Sequence, residues 1–510
     1  MMEKDAVAAA HAHRVAKISR AVRTFYDQKV PFRIYHGSSN STRAAARQDV
    51  VDISGLNHVI AVDANRKTAL VEPGVAMDEL IKHLLAYNLM PAVVPEFPGI
   101  TAGGAFAGTA AESSSFRYGY FDKTVSNVEM ILGNGDVVRA SPTKNSDLYY
   151  GSAGALGTLG ITTQLEIQLV ECSPYVQVTY IPVTSHAEAL EHFAQVKSDV
   201  DFIDAIMFSS RHGVVVEGRL TVSQTKNHPI VRFTRAKDPW FFTHVHSKIR
   251  CSAFSDSDND YRCLTCHWTS RSRTYRQTST VLIELIPITD FVFRYDRGVF
   301  WMAAHGWAPT LWNRITRYVF DPIWRTRFQY RVVHLVGGTP HIIQDLAIPA
   351  PNASPFLDSL HREFKIYPLW LCPIRHDPDT PMHSASTAPI PAPSFHVNIG
   401  VWGSPEYGTQ FLTSSTFDAF VASNRRIERM VAGAGGLKWL YASNYYTEEE
   451  FWNVYDRAGY EMLREKWSAD RLPDLWAKVR RSRQDLRGVT VGGILKATVY
   501  AALGVDRLIK

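Results

Sequence analysis

An α+β fold is what the sequence predicts, and three observations predict it. Short β-branched runs of four to six residues follow one another from residue 32, with polar turns between them. Segments with apolar side chains at helical spacing interrupt those runs, as at residues 77–87. Glycine-rich connections join the two kinds of element.

The elements follow in order. Residues 1–30 carry Ala, Val and Ile at helical spacing with basic residues between, which predicts an amphipathic N-terminal helix. FRIY, VVDIS, HVIAVD and TALVEP read as strands, and residues 77–87 as a helix with Leu80, Ile81, Leu84 and Leu85 on one side. A Gly- and Ser-rich loop occupies 95–119. Beyond it VEMILGNGDVVRAS folds back at Asn134-Gly135, and ITTQLEIQLVE follows a second glycine cluster. These elements make a first domain, 31–172. Residues 173–435 form a second α+β region with polar loops at 252–260 and 377–393, and 436–510 is a helical segment rich in Trp, Tyr and Arg.

Composition narrows the function classes. The chain has 510 residues, enough for two or three domains, with 45% hydrophobic and 20% charged residues, so a folded core is expected rather than disorder. The net charge of +6 is mild, and no nucleic-acid-binding module accompanies it. Arginine clusters at 471–487 and 314–331 read as solvated basic faces, with anionic lipid or a phosphorylated cofactor as the alternative. Five cysteines and no secretory signal point to a reducing, intracellular setting. Cys263-Leu-Thr-Cys266-His267 fits a haem-attachment pattern but reads as two thiols in a polar loop, and no metal site is expected. No stretch reaches the ~18 apolar residues of a membrane span; residues 298–312, broken by Gly306 and Pro309, read as buried core, with an interfacial seat as the alternative.

Three loops carry the chemistry. The first is Tyr35-His36-Gly37-Ser38-Ser39-Asn40-Ser41 after a strand, where small residues let backbone N–H groups approach a diphosphate. The second holds Pro95, Ile100, Thr101, Gly103, Gly104 and Gly108, and continues through Ser114, Ser115, Tyr118 and Gly119. The third is the turn bearing Gly157, Thr158, Gly160 and Ile161. Glycine-rich turns without ligands are common, so one alone says little. Neither a P-loop nor a G-x-G-x-x-G motif is present.

Taken in order, the loops resemble the FAD-binding domain of the vanillyl-alcohol oxidase/p-cresol methylhydroxylase (PCMH) superfamily. More closely, the chain resembles the Δ24-sterol reductase (Diminuto/Dwarf1) family. The resemblance is carried by Glu112-Ser113-Ser114-Ser115 with Tyr118-Gly119, by Asn145-Ser146-Asp147-Leu148-Tyr149-Tyr150 and Gly157-Thr158-Leu159-Gly160, and by Lys237-Asp238-Pro239-Trp240-Phe241-Phe242. Ile366-Tyr367-Pro368-Leu369-Trp370-Leu371-Cys372-Pro373 and Glu450-Phe451-Trp452 add to it. It implies a two-subdomain PCMH-type FAD-binding domain, a second α+β substrate (cap) domain and a C-terminal segment closing on the first. It also implies an FAD-dependent reduction of an isolated C=C bond in the side chain of a sterol or related terpenoid, with NADPH as reductant. Asn40 stands where many superfamily members carry the histidine that links FAD, so non-covalent FAD is expected. The N-terminal membrane helix common in the Δ24 reductases is missing, so the expected setting is cytoplasmic or peripheral on the endoplasmic reticulum membrane.

An isolated alkene has no carbonyl to absorb charge, so hydride addition needs a positioned acid, a hydrophobic slot and exclusion of water. Glu284, in the apolar run TVLIELIP, is the expected proton donor because desolvation raises a carboxyl pKa, with Tyr275 and His267 behind it. Aromatic residues of the second region, among them Trp301, Trp402 and Tyr441, supply the slot. Tyr367, Trp370, His396, Asn398 and Tyr445 are the expected substrate contacts; His396 and Asn398 alternate on one strand and share a face. An O₂-using oxidase of specialised metabolism and a flavin- or sterol-binding protein without turnover are the alternatives.

Overall fold

The computed structural model describes residues 2–37, 49–222, 228–249, 282–303, 314–336, 341–376, 395–403, 414–481 and 491–503. The predicted N-terminal helix runs Met2–Asp27 and places Val15, Ile18 and Val22 in the core. A parallel pair follows, β1 (Arg33–Tyr35) and β2 (Val50–Asp52). Strands β3 (Val59–Asp63), β4 (Thr68–Val71), β5 (Leu89–Pro91), β6 (Val125–Ile131), β7 (Val137–Ala140) and β8 (Ile161–Glu171) make one antiparallel sheet in the order β3-β4-β8-β6-β7, with β5 also on β8. Its centre is β8, whose alternating Ile161, Thr163, Leu165, Ile167 and Leu169 point into the core. The turn at Asn134-Gly135 joins β6 to β7 as the sequence predicts.

A larger antiparallel sheet joins β9 (Tyr175–Val183), β10 (Phe202–Ser209), β11 (His212–Thr221), β12 (Leu282–Pro287), β13 (Ile342–Pro349), β14 (Leu369–Arg375), β15 (Phe395–Gly403) and β16 (Leu437–Lys438) in the order β12-β9-β11-β10-β14-β15-β13-β16. Its central strands are apolar on both faces because both are covered. Leu369, Leu371, Ile399 and Val401 face the helices His186–Ala194, Ala350–Phe364 and Ser414–Gly433. The alternate residues, Trp370, Cys372 and Trp402, face the first part of the chain. Backbone and side-chain bonds fix that junction: Ile203 N–H donates to the Ser113 carbonyl at 2.7 Å and the Trp439 indole to the Thr109 carbonyl at 2.8 Å. The second glycine loop therefore lies between the two sheets. Helices Arg457–Lys466 and Leu475–Val479 return to the first sheet, where Phe32 N–H meets the Arg471 carbonyl at 3.0 Å. Among the described residues no helix is long and apolar enough to cross a membrane.

Candidate active site

The three glycine-bearing loops open on one cavity of about 330 Å³ between the sheets. The first contributes Tyr35 and His36 at the end of β1; the second Pro95, Ile100, Thr101, Gly103, Gly104 and Gly108; the third Gly157, Gly160 and Ile161 before β8. Thr101 caps the short helix Ala102–Ala107 by accepting the Gly104 N–H at 3.2 Å. At Gly103 a Cβ would stand 2.5 Å from the Pro73 side chain, so only glycine lets the loop pass there. Gly157 has φ +75°, a conformation glycine adopts without strain. The wall on this side is largely backbone.

The C-terminal segment completes that wall. Tyr460 Oη donates to Thr158 Oγ1 at 2.8 Å and Arg464 to the Thr158 carbonyl at 2.9 Å, which pins the third turn. Lys478 lines the cavity and donates its ammonium to the Leu156 carbonyl, beside Gly157. Arg33 lines the same stretch, so positive charge collects next to the glycine turns.

The opposite end is aromatic and acidic. Phe97 packs against Phe300, Tyr330 and Trp402 with ring centroids 5.5, 5.8 and 5.8 Å apart, and Phe300 against Trp370 at 5.6 Å. These rings are held from behind. Asp204 accepts from Trp370 Nε1 at 2.9 Å, Arg294 at 2.7 Å and Tyr295 Oη at 2.8 Å, and Trp301 Nε1 donates to the Trp402 carbonyl at 2.7 Å. Two buried carboxyl groups line this end, Glu96 and Asp345. Burial pushes Asp345 up to about 6, although hydrogen bonds from Trp402 and Tyr441 draw it back. Glu96 is held well above the carboxylate range by burial and then by the charge of Glu112, and its Oε1 finds no partner among the described residues.

A cavity with a backbone-lined, cationic end and an aromatic, acidic end fits an extended dinucleotide with a flat ring. A family model described as an FAD binding domain matches residues 6–141. The Delta(24)-sterol reductase of Mus musculus is 27% identical over 439 residues, covering 83% of this chain and 76% of that protein. That of Arabidopsis thaliana is 28% identical over 472 residues, covering 85% and 76%. Cytokinin dehydrogenase 9 of Oryza sativa subsp. japonica is 29% identical over 140 residues, 27% of each sequence. The chain is thus similar to the Δ24-sterol reductases along most of its length. Its cofactor is FAD, and it is an FAD-dependent oxidoreductase.

Some of the contacts expected for that family lie elsewhere. Ser114 Oγ donates to the Ala92 carbonyl at 2.7 Å, and Ser115 Oγ accepts the Glu112 N–H at 2.9 Å. Thr158 Oγ1 donates to the Ala155 carbonyl at 2.8 Å. These hydroxyls hold turns, and with Tyr118, Gly119 and Gly37 they stand outside the cavity lining. Ser38, Ser39, Asn40 and Ser41 lie outside the described residues, as do Tyr275 and His267 with the Cys263–Cys266 motif.

Glu284 needs correction. It sits on β12 at the edge of the large sheet, away from the cavity, with His244 at 2.7 Å and Lys248 at 2.6 Å. Burial alone would raise its carboxyl, but those two partners outweigh it and hold it below the ordinary value, so it is a structural anion. Among the expected substrate contacts Trp370 lines the cavity, whereas Tyr367 bonds His186 at 3.1 Å on the helix-covered side and Tyr445 packs against Phe420 there. His396 and Asn398 do share the face of Trp402, but neither lines the cavity; burial and His376 lower His396 to about 4. Sequence reasoning missed Phe300, Tyr330, Lys478, Glu96 and Asp345. Asp345 was within reach: IIQDLAIP is the same signal, an acid in an apolar strand, that singled out Glu284.

Proposed function

We propose that this protein reduces an isolated C=C bond in the side chain of a sterol or related terpenoid, with Asp345 as proton donor and NADPH as the source of electrons. The observation that carries the reading is a buried carboxyl group in an aromatic chamber, at the far end of the cavity that the glycine turns open. The turns bearing Tyr35, Thr101, Gly103, Gly104, Gly108, Gly157 and Gly160 would hold FAD without a covalent link, with Lys478 and Arg33 facing its phosphates. Bound and reduced, FAD supplies a hydride equivalent from N5.

The protein supplies the rest. Asp345, which keeps its proton up to about pH 6 because burial disfavours its anion, gives that proton to the less substituted alkene carbon. The tertiary carbon left electron-poor lies among the faces of Trp402, Phe300 and Tyr330, whose quadrupoles favour positive charge. The added proton and hydride saturate the bond, and solvent returns a proton to Asp345. The buried rings keep water from capturing the cationic centre. The division into an N-terminal helix (1–30), FAD domain (31–172), substrate domain (173–435) and closing segment (436–510) belongs to this reading, as does peripheral contact with a membrane.

Anaerobic NADPH should bleach the flavin, and a sterol with a side-chain double bond of the desmosterol type should restore its colour. A flavin that NADPH leaves oxidised, or that the sterol leaves reduced, overturns the reductase reading; peroxide release with substrate and O₂ would assign an oxidase instead.

A further inference from the structure

We propose that the face built by helix Arg314–Val319 and helix Val491–Ala502 docks on an anionic phospholipid bilayer and admits substrate past helix Thr326–Val336. Seven of the twelve large apolar side chains exposed among the described residues lie in these two segments. Ile315 (74% exposed), Tyr318, Val319 and Phe320 lie in one segment, and Leu495, Val499 and Leu503 (71%) in the other. In each the spacing is that of a single helical face, i, i+3, i+4 or i, i+4, i+8.

The helix Val491–Ala502 shows why this is not an ordinary surface. Its Ala497 and Ala501 are buried in the core that also holds Val332, Leu335 and Val336, and Arg331 donates to the Ala501 carbonyl at 3.1 Å. A helix with one face packed on protein is expected to turn polar residues outward; here Leu495 and Val499 point out and Lys496 is its one charged residue. An apolar stripe rimmed by cations is the pattern of an interfacial helix.

Charge selects the occupant. Arg317 and Lys496 accompany the apolar side chains, while the single acid of 314–336 and 491–503, Asp321, is buried and paired with Arg297 at 2.5 Å and Arg325 at 2.8 Å. A second copy would bring like charges together, whereas an anionic lipid surface is attracted to the basic residues. The position suits this partner. Tyr330 and His334, on the helix against which Val491–Ala502 packs, line the cavity. The choice of a bilayer rests on the proposed water-insoluble substrate, which would pass from lipid into the chamber without crossing water.

The holoprotein should co-sediment with phosphatidylcholine vesicles containing phosphatidylserine, more weakly with phosphatidylcholine alone, and less in high salt. Ile315→Glu combined with Leu495→Glu should lower vesicle affinity at least tenfold, and Lys496→Glu should reduce the preference for phosphatidylserine. Both variants should keep the flavin spectrum and the turnover of sterol delivered in cyclodextrin, losing turnover only of sterol carried in vesicles. Wild-type protein that stays in the supernatant, or a double variant that binds as well as wild type, overturns the proposal. So does a wild-type dimer that the double variant dissolves, which would make the face a self-association surface. If cyclodextrin-borne sterol is not reduced, the proposed function fails, while sedimentation still decides the docking surface.

Discussion

Asp345 Oδ1 accepts the indole N–H of Trp402 at 3.2 Å, so the acid of the chamber and one of its aromatic walls are set by a single bond across β13 and β15. That bond and a second from Tyr441 orient the carboxyl group, which burial desolvates. Asp345→Asn preserves shape and removes the proton, so turnover should fall by about 10²–10⁴ while FAD stays bound. An acid raised to about 6 is protonated below that pH, so wild-type turnover should decline as pH rises through 6. The variant should lose this limb. Residual turnover with an unchanged pH profile would show that the proton comes from elsewhere.

The same shift carries a stability sign. Asp345 binds its proton more tightly when folded, with a value of about 6 against 3.8, so its contribution is fully present below 3.8 and is lost as pH rises through 6. At neutral pH the buried anion costs about 3 kcal/mol. Asp345→Asn should therefore melt higher than wild type at pH 7.5 and no higher at pH 4. Thermal unfolding at the two pH values checks this.

Lys478 reaches the cavity from the helix Leu475–Val479, far in sequence from the three turns it faces. A charge-assisted hydrogen bond contributes about 1.5–3 kcal/mol, so Lys478→Met should weaken FAD affinity by about 10–150-fold. Lys478→Arg should recover most of it. Flavin fluorescence titration of apoprotein reads the effect directly. Equal loss of riboflavin binding would place the lysine at the ring rather than at the phosphates.

Asp204 gathers Arg294, Tyr295 and Trp370 in the interior, and Arg294 is 2% exposed. Asp204→Ala leaves a buried guanidinium without its anion, which costs about 3–5 kcal/mol. Because Trp370 hangs from the same carboxylate, any folded variant should also bind sterol more weakly. Denaturant unfolding and a binding titration separate the two effects.

The sequence made much of this legible, for identifiable reasons. Local signals named the strands: β8 alternates over its whole length, and Asn134-Gly135 can hardly be anything but a turn. Small residues at 103, 104, 108, 157 and 160 pointed to a backbone-lined wall, and all five glycines line the cavity. The hydroxyls beside them misled, since Ser114, Ser115 and Thr158 bond within their own turns, a choice set by φ/ψ and not by composition. Glu284 and Asp345 carry the same local signature. What separates them is tertiary: β12 is an edge strand within reach of His244 and Lys248, whereas β13 faces the cavity. Lys478 stands in the basic cluster 471–487, for which a phosphorylated cofactor is only the alternative reading, because its place at the cavity depends on a backbone that returns after three hundred residues.

His11 shows how the N-terminal helix is fastened to the first sheet. Its Nδ1 lies 2.8 Å from Glu72 Oε1 and its Nε2 3.2 Å from Glu129 Oε1, with Arg14 also on Glu72 at 2.8 Å. Burial opposes the imidazolium, yet the hydrogen bonds and charges of Glu129 and Glu72 outweigh it and raise His11 to about 9. Burial likewise opposes the Glu72 anion, but His11, Arg14 and His58 lower it to about 2. The histidine contribution is thus fully present below pH 6.5 and disappears as pH rises through 9; the glutamate contribution is present above pH 4.5 and disappears toward 2. Stability should peak between about pH 5 and 7. His11→Gln should cost about 2–3 kcal/mol in that window and little at pH 10, because it removes an imidazolium already discharged there. Unfolding of the holoprotein across pH measures this, and a loss that persists undiminished at pH 10 would show that His11 acts by packing alone.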